Sequence, residues 1–282
     1  MTGTVRMMTN DTDKTLYLNE KQGLMVRRDG PSLWIKEKGR AGRRVPVRLI
    51  NMVFIMGNIK MDAGTITLFT ENNIPVSFLN VRGETLGVAL PGNYHGMSHI
   101  ERQKNIFGSD RTRERYRTWL ASMRRNFQIK TLKNIVYPIA ATYMDVGFRE
   151  RDYRACISKI KNRKEQRWQA AQSVVGNLFI EMVIKKIIEA GLDPHTGDRD
   201  KKSYFGFAHD LCYVMLPTVD CLLLRFIESA EASDFIVDRE NNCLLSRDGI
   251  KHLVYIFEEN KKAFLSGIDN TLFAFFEFLR EM

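Results

Sequence analysis

The feature that most limits how this chain can fold is a change of periodicity near residue 90. Before it, apolar residues come in short runs broken by turn chemistry. LYLN is followed by EKQG, LMVRRDG by PSLWIKEKG, and RVPVRLINMVFIMG by NIK. Such runs, bounded by Gly, Asn and Asp, are strand signals. KMDAGTITLFTEN reads as a helix, with Met61, Ile66 and Leu68 apolar and Asn72–Asn73 as its stop. NIPVSFLNVRGETLGVAL then gives two strands around an Arg82–Gly83 turn, and PGNYHG is a linker. From Ser98 onward the spacing is helical nearly to the end, as in SHIERQKNIFG, QAAQSVVGNLFIEMVIKKIIEAG and DNTLFAFFEFLREM. The expected fold class is therefore α+β. A β-rich, sandwich-like domain over residues 1–90 and a linker over 91–97 precede a larger all-α domain over 98–282.

Charge narrows the partner. The formal net charge is +10, and a strongly basic surface suits a polyanion because neutralising phosphates releases counterions. The basic residues are clustered. Arg111, Arg113, Arg115, Arg117, Arg124, Arg125, Lys130 and Lys133 share one stretch with a single acid, Glu114, and KIKNRKEQR from Lys159 to Arg167 is similarly basic. Arg111, Arg113, Arg117, Arg124, Arg125, Lys130, Lys161, Arg163 and Lys164 are the candidate phosphate contacts. Tyr116 and Trp119, three apart on a helix, share a face and read as core anchors. No apolar run reaches the roughly 18 residues that span a bilayer, and the first residues carry no apolar signal core. A cytoplasmic protein is expected. The dispersed Cys156, Cys212, Cys221 and Cys243 then stand as free thiols.

GLDPHTGDRDKKSYFGFAHDLCYVMLPTVD, from Gly191 to Asp220, holds five Asp and two of the chain's five His. It is open to three readings: a metal site, a surface loop entering a helix, or the remains of a metal site. Gly191 is a helix stop. A polar loop follows, and a new helix begins near Tyr204 or Phe205, with Pro217 a kink or a boundary. Asp193 suits a loop brace. Asp210 lies among Phe207, Leu211, Val214 and Met215, so its carboxylate needs a cation or hydrogen bonds as partner. Asp220 suits a pairing with a basic residue of a neighbouring helix. His209 precedes Asp210 and points elsewhere on the helix. GxSxG, GxxxxGK[ST], HExxH and GxGxxG are all absent.

These residues carry a family resemblance. GLDP at 191–194, the Asp210–Leu211 pair opening a helix, Pro217 and Asp220 resemble the CRISPR-associated integrase of spacer acquisition, the family numbered one among the Cas proteins. MVFIMGNIKMDAGTITLFTENNIPVSFLNVRGETLG, the Arg102–Gln103 pair and LLSRDGIKHLVYIFEE fit the same family in the same order.

The resemblance implies a metal-dependent DNA endonuclease and integrase that joins 3′-OH ends of short fragments into a repeat. Mg²⁺ or Mn²⁺ would activate the nucleophile. The implied ligands are an early Glu, a His in the loop after GLDP, and the Asp opening the next helix. Here only Asp210 matches in kind. The His position is Asp200, with His195 an earlier alternate. The Glu position is Asp145, with Glu150 the alternate if the register shifts. Tyr213 stands where a second carboxylate is common, and Leu216 where an arginine is usual. The catalytic and metal candidates are thus Asp210, Asp145 and Asp200. Two outcomes stay open: an all-carboxylate metal site, or a degenerate member that keeps its grip on DNA without the metal. The implied partners are double-stranded DNA, a second copy joined through the β-rich domain, and a small ferredoxin-like adaptation protein, with no membrane.

Overall fold

The computed structural model describes residues 5–8, 14–80, 85–92, 99–135, 149–161, 165–199, 204–238 and 240–282. They cluster into two compact units, Met1–Gly96 and Met97–Met282.

The first unit is strand-rich. Its five-stranded sheet runs β1 (Val5–Met8), β2 (Lys14–Asn19), β6 (Ile50–Met56), β8 (Val76–Leu79), β9 (Thr85–Ala89). The inner pairs β2–β6 and β6–β8 are parallel and the outer pairs antiparallel. A four-stranded sheet runs β5 (Arg43–Pro46), β4 (Ser32–Lys36), β3 (Met25–Asp29), β7 (Lys60–Met61). Alternation fixes which side chains meet. Leu16 and Leu18 pair in register with Val53 and Ile55, and they share one core with Val26, Leu33, Ile35 and Val45 of the other sheet. On the opposite face of β2 and β6, Tyr17 stacks on Phe54, 5.3 Å between centroids.

Two expectations change here. The helix anticipated from Lys60 begins only at Ala63: α1 is Ala63–Glu71, and Lys60–Met61 is a strand. Asp62 sets that boundary, its carboxylate accepting from the Thr65 amide at 2.7 Å as an N-cap. RVPVRLINMVFIMG breaks into β5 and β6 at a short 3-10 turn, Val47–Leu49. The Arg82–Gly83 turn lies outside the described residues.

The second unit is helical: α2 (Ile100–Asn105), α3 (Asp110–Ile135), α4 (Glu150–Lys161), α5 (Glu165–Glu189), α6 (Gly206–Ser229) and α7 (Arg247–Arg280). Tyr116 and Trp119 of α3 are core anchors as their spacing implies. Their rings stack 5.9 Å apart, and both meet Phe275 and Phe278 of α7. Each such ring contributes roughly 1.5–3 kcal/mol on burial. After α5, Gly191 takes φ 72, and the Leu192 amide returns to the Ile187 carbonyl at 3.1 Å, a glycine-terminated helix end. Ser246 caps α7 by accepting from the Gly249 amide.

The unit is not purely helical. β10 (Phe235–Val237) and β11 (Cys243–Leu245) form an antiparallel ribbon. Its turn is organised by Asp238, which accepts from the Glu240 and Asn242 amides, and by Asn241 at φ 64. That is turn chemistry sitting inside a stretch read as helical. Pro217 lies within α6 without ending it. No helix among the described residues is long and apolar enough to cross a membrane. All four cysteines are unpaired thiols.

Candidate nucleic-acid interface and the Asp210 centre

The loop after α5 is held from several directions. Gln103 is buried and clasps Asp193 like a neighbouring strand: its side-chain oxygen accepts from the Asp193 amide at 2.9 Å and its nitrogen donates to the Asp193 carbonyl at 2.8 Å. The Asp193 carboxylate accepts from the His195 amide and the Thr196 hydroxyl, the bracing role its sequence position suggested. Gly197 packs against the start of α6 so closely that a Cβ there would lie 2.1 Å from the Gly206 carbonyl carbon. Only glycine fits.

This packing delivers the amides of Asp198 and Arg199 to Asp210. Oδ2 of Asp210 accepts from the Asp198 amide at 2.8 Å and the Tyr116 hydroxyl at 2.9 Å, and Oδ1 accepts from the Arg199 amide at 3.1 Å. Asp210 is fully buried. Burial raises its pKa, and the two amides and the hydroxyl act in the opposite direction. Burial and the neighbouring Asp210 charge push the Tyr116 hydroxyl well above its usual range, so it stays a donor.

Around this centre the cations are arginines. Arg117 grips Asp198 with two bonds, Nε to Oδ2 at 2.6 Å and Nη2 to Oδ1 at 3.1 Å, and Arg113 stands 3.7 Å from the same carboxylate. One turn past Asp210, the Tyr213 ring meets the Arg124 guanidinium at 4.0 Å and that of Arg199 at 3.3 Å. Two groups that close to one centroid would overlap on a single face, so the ring lies between them. Arg117, Leu120, Ala121, Asp198, Arg199 and Tyr213 line a cavity of about 440 Å³.

Arg124 is buried and binds Glu150 through Nε at 2.9 Å and Nη2 at 3.1 Å. Its Nη1 donates to the Tyr213 carbonyl. Pro217 has no amide hydrogen to give that carbonyl, its partner four residues back in a regular helix. The arginine replaces the missing bond, which is why α6 continues through the proline. Gln128 and Arg154 also donate to Glu150. Burial opposes the charged form of Glu150, but the bonds from Arg124, Gln128 and Arg154 outweigh it and bring its pKa down to about 2. A carboxylate with a depressed folded-state pKa contributes stability above its unfolded value and loses it as pH falls through the folded value. The wild-type advantage in unfolding free energy over Glu150→Gln should thus be full above pH 4.5 and fade as pH falls toward 2. Urea titrations of both proteins across that range check it, and a pH-independent difference would refute it.

The anticipated site residues are distributed as follows. Asp145, Asp200, Arg163 and Lys164 lie outside the described residues. Glu150 is near the centre but engaged by two guanidiniums. His195 stacks on Phe205 with centroids 5.0 Å apart, and its Nδ1 meets the Tyr204 carbonyl. Asp220 does pair with a neighbouring helix: Lys161 of α4 lies 3.5 Å away, and the Tyr153 hydroxyl donates to it at 2.7 Å. Lys161 is therefore partly engaged, and it also sits over the Trp168 ring.

The arginines of α3 separate into two stripes. Arg113, Arg117 and Arg124 follow one another by four and seven residues and face carboxylates, Asp198 for the first two and Glu150 for the buried third. Buried Arg124 is a structural ion-pair partner, not a phosphate contact, which corrects its place among the DNA-binding candidates. Arg111, Arg115, Arg125 and Lys133 are exposed and fall within roughly a quarter of the helix circumference. Lys130 is exposed farther round.

Among the described residues these surroundings offer no second ligand for a divalent cation beside Asp210. Asp210 accepts three hydrogen bonds, Glu150 is paired with arginines, and among the described residues no three His, Cys, Asp or Glu come together as a ligand set. The sequence pointed to Asp210 but not to its partners. Tyr116 reads from its spacing as a core residue, and Asp198 and Arg199 as loop polar residues.

A strand-rich unit followed by a helical unit, with an arginine-lined cleft at the head of α6, defines the class of protein. The chain belongs to the family described as CRISPR associated protein Cas1, whose profile matches residues 16–165, more than half its length. No curated protein sequence matches it. Among solved structures it is similar to a CAS1 protein from Thermotoga maritima, with TM-score 0.71, 15% identity, and 93% of this chain and 96% of that one covered. A casposase bound to integration product is similar at TM-score 0.67 and 20% identity, covering 87% and 82%. A chain of a Cas6-RT-Cas1–Cas2 complex gives TM-score 0.63 and 11% identity, covering 96% of this chain and 35% of that one. At these identities the likeness concerns the fold.

Proposed function

We propose that this protein serves CRISPR spacer integration as a cytoplasmic, DNA-holding member of the adaptation machinery, and that its Asp210 centre is a structural tie instead of a metal site. The observation that carries this reading is the set of three hydrogen bonds, from two loop amides and Tyr116, that ties buried Asp210 to its surroundings. Family membership supports the integration role. The fold it shares with a casposase bound to integration product supports DNA as the ligand, as do the net charge of +10 and the exposed stripe of α3. Similarity to a chain of a Cas1–Cas2 complex supports a small ferredoxin-like Cas partner. A homodimer through the strand-rich unit is supported by β9, an edge strand whose Leu86 is 72% exposed.

A second reading, metal-dependent joining with Mg²⁺ or Mn²⁺, rests on Asp210 together with Asp145 and Asp200, the latter two outside the described residues. One assay separates the two. Purified protein, with and without the adaptation partner from its own locus, is mixed with a labelled short duplex and a supercoiled plasmid bearing a repeat. Mn²⁺, Mg²⁺ or EDTA is added. The expected result is duplex binding unaffected by EDTA and no strand transfer by this chain. Metal-dependent joining that Asp145→Ala and Asp200→Ala each abolish would overturn the structural-tie reading in favour of the second.

A further inference from the structure

The geometry points to a phosphate clamp centred on Arg199 and the Tyr213 ring, at the mouth of the cavity beside Asp210. This inference deepens the proposed function and rests on it for the source of the phosphate.

Three observations carry it. First, Arg199 is exposed, and among the described residues no carboxylate pairs with its guanidinium, whereas Arg113 and Arg117 are engaged by Asp198 and Arg124 by Glu150. Among the described residues it is the cleft's uncommitted cation. Second, its guanidinium lies over the Tyr213 ring at 3.3 Å. A guanidinium stacked on a ring keeps its N–H edges in the plane, directed away from the aromatic face. Its fork of donors is then already ordered to meet the oxygens of a phosphate. Third, its backbone is fixed. The Arg199 amide donates to buried Asp210, and the preceding Gly197 is locked against Gly206. Asp210 is a positioning residue for the clamp: its carboxylate meets the backbone of Arg199 and leaves the side chain to the ligand.

The cavity of about 440 Å³ leaves room for a phosphate and part of its sugar. Arg117, half-exposed and held by Asp198, stands on its wall as a second positive group. A planar, bidentate donor beside an aromatic platform favours a phosphate oxyanion.

The test uses the full chain with two short duplexes of identical sequence, one with 5′-phosphate ends and one with 5′-hydroxyl ends, and separately inorganic phosphate. The proteins are wild type, Arg199→Gln, Arg199→Lys, Tyr213→Phe and Tyr213→Leu. Urea midpoints check that each is folded. Arg199→Gln should weaken duplex binding roughly 3- to 10-fold at low salt and lower the slope of log affinity against log salt by about one. Arg199→Lys should keep the slope but lose part of the affinity, because a lysine does not form the stacked fork. Tyr213→Phe should behave as wild type, and Tyr213→Leu, which keeps the Arg199 charge but removes its platform, should keep the slope and lose part of the affinity as Arg199→Lys does.

A loss confined to the phosphorylated duplex assigns the clamp to a terminal phosphate. An equal loss on both assigns it to a backbone phosphodiester. Unchanged affinity and slope in Arg199→Gln would overturn the clamp while leaving the proposed function intact. Should the wild type bind neither duplex, the proposed function falls. The clamp then stands on inorganic phosphate binding that Arg199→Gln abolishes, and falls without it.

Discussion

Asp210→Ala is expected to lower the unfolding free energy by about 3–5 kcal/mol, with a clear drop in urea midpoint. The variant leaves the amides of Asp198 and Arg199 and the hydroxyl of Tyr116 without their acceptor in a buried site. Each such orphan costs roughly 1–3 kcal/mol, and local relaxation recovers part of the sum. Tyr116→Phe removes one donor and should cost only about 1 kcal/mol. A carboxylate poised for a metal behaves in the opposite way. It stands among like charges, and its removal commonly relieves strain and leaves the fold as stable or more so. Urea unfolding of Asp210→Ala therefore discriminates between the two, and a midpoint at or above wild type would sink the structural assignment.

The other large effect belongs to the outward stripe of α3. Replacing Arg111, Arg115 and Arg125 together with glutamine should weaken duplex binding on the order of 100-fold at low salt and lower the salt slope by roughly 2–3, equally for unrelated sequences. Arg111 and Arg125 project from the helix surface, and Arg115 donates to the Glu281 carbonyl. The fold should thus survive. Titrations by fluorescence anisotropy at several salt concentrations give the slope directly. A slope equal to wild type would move the DNA path elsewhere. Charge reversal at Arg124 gives a different result, because a glutamate there would face Glu150 inside the protein. That variant should fail by unfolding, which a binding assay alone would mistake for lost contacts.

Some of this organisation was readable in the chain. The short apolar runs before residue 90 and the 3.6-residue spacing after it determine the two kinds of architecture. Gly191, Asp193 and Ser246 act as their local chemistry dictates. Asp210 was found because a carboxylate among Phe207, Leu211 and Val214 demands a partner. Its actual partners were not readable, since Tyr116 lies 94 positions earlier and reaches it only through tertiary packing. The carboxylate-facing set Arg113, Arg117 and Arg124 was legible in principle from its four- and seven-residue spacing. It was hidden because a dense run of arginines reads as a solvated face. Lys60–Met61 and the β10–β11 ribbon were missed for a related reason. Strand pairs that short are decided by the neighbour they bond to, and local preference says little about them.

The bond from Arg124 to the Tyr213 carbonyl has a consequence for how the helical unit opens. Where Pro217 leaves α6 a rung short, α3 supplies the rung, so the middle of α6 is not closed by its own chain. Local fraying of α6 at that point requires α3 to let go, and release of α3 exposes a bare carbonyl in α6. The two helices therefore belong to a single cooperative unit of unfolding, and a change that loosens Glu150 on α4 reaches the centre of α6 through one guanidinium.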